Sequence, residues 1–359
     1  MIKLDDYGWN LLHKDNFSTI IEERGLAKCV PGRVILEHKR MYRVITEFGE
    51  WLSVCSGSME YEATERRDFP AVGDWVVVEK MPGEERGIIH AISPRTSIFS
   101  RKVAGSTIEE QLIAVNVDIA FLVMSMNKDF NARRLERYLV AAYDSGAVPI
   151  VVLTKKDISD NPSYYVEEAQ NIAFGTEIFE VSNITGEGLE QIRQVLQDGK
   201  TAALLGSSGV GKSSLTNALL NDQKMDVQDI RLDDDKGKHT TTHRELIIIP
   251  SGGVIIDTPG MREFQLWDNS DSLHSGFSDI EALAEICKFN DCLHNQEPGC
   301  AVQHALATGE LTEERYASYL KLQKELAYIE QKTNQQARKQ AQNKRKNISK
   351  HLRKHYTKK

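Results

Sequence analysis

The sequence predicts a multidomain α/β fold: an N-terminal β-barrel of the oligonucleotide/oligosaccharide-binding (OB) type, a central α/β domain with a mostly parallel sheet, and a C-terminal α-helical domain. Three observations predict it. Short strand-like runs separated by turn residues fill the stretch from Gly32 to Pro94. Apolar runs then alternate with amphipathic helical patterns as far as residue 267. From Asp268 onward strand patterning stops, and helical periodicity surrounds a tight group of cysteines and a histidine. The expected divisions are an N-terminal extension over 1–31, the barrel over 32–94, the α/β domain over 95–267, the helical domain over 268–330 and a basic tail over 331–359.

In the barrel, GRVILEH, MYRVITEFGE, WLSVCSG, VGDWVVVEK and RGIIHAISP read as strands with no helical period of useful length between them. Five short strands in about 65 residues suit a small closed barrel whose loops and one strand face often contact nucleic acid. An SH3-like barrel reads almost the same, and a structural adaptor is the competing reading of its role. After Pro94 come VDIAFLVMSM, RRLERYLVAAYDSG and AVPIVVLTKKD, then TAALLGSSG and GGVIIDTPG. Buried-type runs of Val, Ile and Leu alternating with helices are the pattern of a parallel sheet covered on both faces.

Composition narrows the class of protein. The chain has 359 residues and 40% hydrophobic content, which excludes fibrous and wholly disordered readings. Its apolar runs, such as Ile119 to Met124, fall far short of the roughly 20 residues needed to cross a bilayer. The start MIKLDDYGWN carries two acids where a signal peptide needs a basic start and an apolar stretch, so a cytoplasmic protein without a membrane partner is expected. The net charge of −7 hides an asymmetry, because Gln331 to Lys359 holds 11 Lys/Arg and no acid while the rest carries −18. A basic tail on an acidic body points to a polyanion, against the bland reading of a solvated helix end. Five cysteines are too few and too odd for a disulfide framework, and Cys29 and Cys55 read as packing residues.

The strongest motif is GSSGVGKS, Gly206-Ser207-Ser208-Gly209-Val210-Gly211-Lys212-Ser213, which follows the strand TAALL and, with Ser214, opens the helix SSLTNALL. It fits the phosphate-binding pattern G-x-x-x-x-G-K-[ST] in its proper context. Glycines let the backbone wrap phosphates so that N–H groups and a helix N-terminus face negative charge. Lys212 adds a point charge near the β/γ oxygens, and Ser213 can ligate Mg²⁺.

Downstream, GGVIIDTPG ends in Asp257-Thr258-Pro259-Gly260, where Asp257 can hold the metal through water and Gly260 can offer its N–H to a γ-phosphate. Between the two motifs lies GKHTTTHRE, a polar segment suited to ordering around a γ-phosphate and Mg²⁺. One of Thr240, Thr241 and Thr242 is expected to supply a metal-bound hydroxyl, with Thr241 favoured. Met261 stands where many GTPases carry a water-orienting glutamine, and a thioether cannot orient that water, so a low intrinsic rate is expected. His239 is the best substitute within the chain; its competing readings are an RNA contact or a loop cap.

Thr154-Lys155-Lys156-Asp157 at the end of AVPIVVL resembles the guanine-reading pattern N-K-x-D. There the aspartate accepts from guanine N1–H and the 2-amino group, donors that adenine lacks, and the lysine stem lies along the base. Thr154 replaces the asparagine and loses an amide donor and acceptor. Ser182-Asn183 after the strand FEV looks like the loop that presents backbone N–H to guanine O6. These elements precede the phosphate loop, whereas ordinary GTPases place the phosphate loop first. The order therefore describes a circularly permuted P-loop GTPase, feasible where the old chain ends lie close together.

Cys287, Cys292, His294 and Cys300 form C-x4-C-x-H-x5-C, four soft ligands within fourteen residues including the turn Pro298-Gly299. Three thiolates and an imidazole match a closed, structural Zn²⁺ site. His304 could compete with His294, but the tighter spacing favours His294.

Barrel, permuted GTPase and Cys3His site together resemble the ribosome small-subunit-dependent GTPase A family of bacteria, from about Gly32 to Ala305. PRTSIFSRK, EEQLIAVNVD, GSSGVGKSSL, GKHTTTHREL and IIDTPGMREF carry the resemblance. Thr154, Lys238 where the family commonly has arginine, and the N-terminal extension depart from it. The resemblance implies a late-stage 30S assembly factor that binds the subunit and its 16S rRNA, cycles between GTP and GDP, uses Mg²⁺ with the nucleotide and one zinc per chain, and works as a monomer. A linker bearing Arg95, Arg101 and Lys102, together with the barrel, the zinc module and the tail, offers separate contacts for RNA phosphates. The alternatives are a P-loop small-molecule kinase, disfavoured by TKKD and DTPG, and an RNA-binding scaffold for which GTP is only a ligand.

Overall fold

The computed structural model describes residues 2–103, 109–220, 245–257, 277–289, 292–294, 297–313 and 315–324. The chain divides into two compact units, Met1–Gln265 and Leu266–Lys359.

In the first unit, strands β1 (Val30–His38), β2 (Met41–Thr46), β3 (Gly49–Cys55), β4 (Trp75–Lys80) and β5 (Arg86–Ile92) lie in the turn-punctuated runs expected to form them. They join in the order β1-β2-β3-β5-β4, and β4 returns to β1 to close the barrel. Strand β1 serves both neighbours by bending at an irregularity between Val34 and Leu36. Val34, Tyr42, Val44, Trp51, Val76, Val78 and Ile89 fill the interior. A single parallel pairing, β3 with β5, and a short helix α2 (Gly57–Glu62) between β3 and β4 give the OB-type connection rather than a plain meander. That helix corrects the expectation of uninterrupted strands. It is capped by Ser56, whose hydroxyl accepts from the Met59 amide.

The N-terminal extension packs onto the barrel. Helix α1 (Leu11–Arg24) starts at Asn10, whose side chain accepts from the His13 amide, and stops at Gly25, which takes a φ of 65°. Trp9 and His13 lie against Trp75 with ring centroids 4.7 and 5.3 Å apart.

The segment expected to be a linker is a β-hairpin, β6 (Ile98–Val103) with β7 (Glu109–Val115). Beyond it stand β8 (Ile119–Ser125), α3 (Ala132–Ser145), β9 (Val148–Thr154), α4 (Pro162–Ile172), β10 (Glu177–Glu180), α5 (Leu189–Val195), β11 (Thr201–Leu205), α6 (Lys212–Leu220), β12 (Glu245–Ile248) and β13 (Val254–Asp257). These strands order as β10-β9-β8-β11-β13-β12, parallel throughout except for antiparallel β12. Helix α3 buries Leu135, Tyr138 and Leu139 on one face of the sheet, while Leu215 and Leu219 of α6 belong to the core on the other. Strand β12 also pairs with β1 at Leu36 and Glu245, so barrel and α/β sheet are edge-joined.

Arg33 stitches this junction. It is 1% exposed, donates to the carbonyls of Tyr7, Gly73 and Asn116 and to the Thr201 hydroxyl, and lies over Trp75. Burial lowers its pKa to about 10, while Asp118 and Asp74 act in the other direction. Four segments far apart in sequence thus share one buried cation. Arg95, expected to meet RNA, instead forms a buried two-pronged pair with Asp74 at 2.7 and 2.8 Å and also donates to the carbonyls of Arg67 and Phe69. Among the described residues, no helix is long and apolar enough to cross a membrane.

In the second unit stand helices α7 (Ser278–Glu285) and α8 (Ala301–Thr308) and the helical residues 315–324; Phe277 and Ile280 are fully buried, and the Tyr319 ring lies 5.5 Å from that of Phe277. Arg315 lies over the Phe277 ring and forms a two-pronged pair with Asp279 at 2.7 and 2.8 Å.

Candidate functional site

The parallel strands β8, β9 and β11 run side by side, so their C-terminal ends bring the loops that follow them to one edge of the sheet, the usual ligand edge of open α/β sheets. Gly206 to Gly211 leave β11 and turn into α6. Gly209 and Gly211 take φ of 78° and 98°, conformations that glycine adopts at no steric cost. A Cβ on Gly206 would lie 2.6 Å from the Val123 carbonyl oxygen, so that position requires glycine to pass β8. Val210 is buried and anchors the loop, while Ser208 and Gly209 are exposed at its rim. Lys212 donates to the Gly206 and Ser207 carbonyls at 2.6 and 2.7 Å and so lies across the loop. Ser213 and Ser214 follow in the first turn of α6, with Ser213 exposed.

Thr154 ends β9 and is fully buried. Its hydroxyl lies 2.5 Å from the Val210 carbonyl and 3.2 Å from that of Met124, so it braces the phosphate loop against two strand ends. Asn183 adds a second brace, donating through Nδ2 to the Gly211 carbonyl at 3.1 Å. Its Oδ1 is buried without a partner among the described residues. Lys155 takes a left-handed φ of 63°, which turns the chain into a 3-10 turn at Lys156 to Ile158. The exposed Asp157 carboxylate accepts from the buried Ser182 hydroxyl at 2.7 Å. Lys156 points elsewhere, pairing with Glu187 at 2.6 Å and Glu180 at 3.6 Å. The amides of Ser182, Ile184, Thr185 and Gly186 are all used inside the loop after β10. The expected elements 154–157, 182–183 and 206–214 therefore meet at one place.

Sequence reasoning missed Arg134. It follows the cap Asn131 in the first turn of α3 and donates to the Ser207 hydroxyl at 2.9 Å. The signal was topological: α3 leaves the end of β8, the strand beside β11, so its first turn must border the phosphate loop. His239, Thr240, Thr241, Thr242, Gly260 and Met261 lie outside the described residues, and Asp257 is described only as the last residue of β13.

In the second unit Cys287, Cys292, His294 and Cys300 bring one ligand atom each within 4.8 Å of one another. Cys287 Sγ and Cys300 Sγ are 3.8 Å apart, and His294 Nδ1 lies 3.5 and 3.4 Å from them. A tetrahedral centre with metal–sulfur bonds of ~2.3 Å and metal–nitrogen bonds of ~2.0 Å has edges of about 3.8 and 3.5 Å, so the donor set fits a metal of that size. Cys300 caps α8 and accepts from the Gln303 amide at 3.4 Å. Gln303 and Tyr316 donate to the His294 carbonyl and hold that residue at its left-handed φ of 57°. His304 lies on α8 outside the cluster.

A six-stranded α/β sheet whose guanine-type loops precede its phosphate loop defines a circularly permuted P-loop GTPase. Residues 92–267 match the model of the RsgA GTPase family. A protein of Oceanobacillus iheyensis named small ribosomal subunit biogenesis GTPase RsgA 1 is 48% identical over 84% of this chain and 86% of its own length. One of the same name from Listeria innocua is 46% identical over 90% of this chain and 92% of its own. Among solved structures, YjeQ from Thermotoga maritima aligns with a TM-score of 0.63 at 27% identity, covering 83% of this chain and 99% of that one. YloQ, described as a circularly permuted GTPase, gives 0.60 at 28% identity, covering 85% and 96%. The chain belongs to the RsgA GTPase family.

Proposed function

We propose that the protein is a GTP hydrolase that acts late in assembly of the small ribosomal subunit, binds the 30S particle through its 16S rRNA, and turns over GTP in response to it. The observation that carries the reading is the set of hydrogen bonds joining Thr154 to Val210, Asn183 to Gly211 and Ser182 to Asp157, which supports one rigid site for a guanine base and its phosphates. Asp157 accepts from guanine N1–H and the 2-amino group, the Lys155 stem covers the base, and the Asn183 amide meets O6. The amides from Ser207 to Ser214 cradle the phosphates, and Lys212 swings from the loop carbonyls to the β/γ oxygens. Ser213, Thr241 and, through water, Asp257 hold Mg²⁺, which would offset phosphate charge, while Gly260 senses the γ-phosphate. His239 orients the attacking water.

One zinc per chain braces the second unit through Cys287, Cys292, His294 and Cys300. The protein works as a cytoplasmic monomer divided at 1–31, 32–94, 95–267, 268–330 and 331–359. Permutation makes the segment after Asp257 lead directly into the metal-binding unit, so γ-phosphate sensing and that unit are consecutive in the chain. RNA contact comes from the barrel and from the 11 cations of the tail. Cosedimentation with purified 30S subunits across a salt series tests this. Full-length protein should pellet with subunits, and removal of 331–359 should weaken binding and flatten its salt dependence. Failure of the full-length protein to pellet at low salt with a GTP analogue would overturn the reading.

A further inference from the structure

We propose a second metal site on the outside of the barrel, formed by Cys29, Glu79 and His90, which takes a divalent ion of the zinc type. The Cys29 Sγ, a Glu79 carboxylate oxygen and a His90 ring nitrogen all lie within 4.8 Å of one another. His90 Nε2 is already 3.2 Å from Glu79 Oε2. Three separate segments supply the three donors, and the strand register explains why they meet. Val30 pairs with Val78, which sets Cys29, one residue before β1, across from Glu79 on β4. On the far side of β4, Val78 pairs with Ile89 but Val77 pairs with Ala91, so His90 is the extra residue of a β-bulge. Bulges re-aim side chains, and this one sets the imidazole beside the Glu79 carboxylate.

The reading of Cys29 as an isolated packing residue fails on this geometry. The thiol is half-buried and faces a carboxylate and an imidazole rather than apolar neighbours alone. Sulfur, nitrogen and carboxylate oxygen are the donors zinc accepts, and three protein ligands leave a fourth position for water. Such a site binds more weakly than the four-ligand cluster of the second unit. Its place in the fold gives it a structural role, because Cys29 lies in the segment joining α1 to β1 and an ion there would clip the N-terminal extension to β4 and β5. The site is independent of the nucleotide loops and of the Cys3His cluster.

Full-length protein equilibrated with zinc buffered at micromolar free concentration, then measured by elemental analysis, tests it. About two zinc ions per chain are expected for the wild type and about one for both Cys29→Ser and His90→Ala. Cys292→Ser, which disables the other cluster, should keep the barrel ion and lose it when combined with Cys29→Ser. Guanine-nucleotide binding serves as the folding check, since none of these residues touches that site. A wild-type protein that loads one zinc, or variants that load as many as the wild type, would overturn the proposal.

Discussion

The Thr154 hydroxyl lies 2.5 Å from the Val210 carbonyl oxygen, which makes the end of β9 and the phosphate loop a single hydrogen-bonded body. Both residues are fully buried, so water cannot take over for either partner. The threonine that departs from the asparagine of the guanine-reading pattern thus acts as a brace. Thr154→Val keeps the shape and leaves the buried carbonyl with one partner fewer, at a cost of about 1 to 3 kcal/mol. GTP and GDP dissociation constants should both rise about tenfold or more, with preference over ATP retained because Asp157 is untouched. Titration calorimetry with the three nucleotides checks this, and wild-type affinities in the variant would deny the brace.

The proposed function assigns base choice to Asp157. The Ser182 hydroxyl holds its carboxylate at the loop surface. In Asp157→Asn the amide can donate to the 2-oxo group of xanthine, which replaces guanine's amine, so affinity should move from GTP to xanthosine triphosphate. Each charge-assisted bond lost is worth roughly 1.5 to 3 kcal/mol, or about one to two decades. Competition binding with both nucleotides reads the switch; unchanged GTP binding would remove Asp157 from the site.

Much of this was legible in the sequence, for physical reasons that differ by element. The barrel strands and the parallel strands showed because alternation and apolar runs report burial directly, as in β5 and β8 respectively. Helix α2 did not, since Gly57–Glu62 is less than two turns and has no period to detect. The β6–β7 hairpin was hidden by charged residues in a stretch that reads as a linker. Arg33 and Arg95 look like surface cations, and only the tertiary partners Thr201, Asn116 and Asp74 turn them inward. The nucleotide and Cys3His motifs were legible because their spacing is local. Arg134 and the Cys29–Glu79–His90 cluster were not, because strand neighbours assemble them.

If the Cys3His cluster of the second unit holds zinc as proposed, metal ligation is part of that unit's folding free energy. Cys292→Ser should lose the zinc of that unit and unfold it locally, while nucleotide binding in the first unit persists. Elemental analysis and hydrogen exchange over residues 277–324 read the two effects. Full zinc content with unchanged protection would exclude Cys292 as a ligand.

Acid should loosen the N-terminal extension through His13. Burial, with the charge of Arg33 adding to it, lowers the His13 pKa from 6.5 to about 4. Between those values the unfolded chain binds the proton and the folded chain does not, so this stability is complete above 6.5 and declines as pH falls toward 4. His13→Phe keeps a ring against Trp9 and Trp75 and should flatten that part of the profile. Thermal unfolding followed across this pH range checks it, and parallel curves for the two proteins would acquit His13.

A GTP hydrolase whose site is completed by the small ribosomal subunit must be slow on its own. Met261 supplies no water-orienting group, and phosphoryl transfer depends almost wholly on positioning and charge, so basal turnover should be low. The decisive measurement is phosphate release from GTP, without any acceptor substrate, with and without purified 30S subunits, for wild type and His239→Ala. Slow basal release, marked stimulation of the wild type by subunits, and loss of that stimulation in the variant are expected. A wild-type rate that subunits leave unchanged would contradict completion of the site by the subunit.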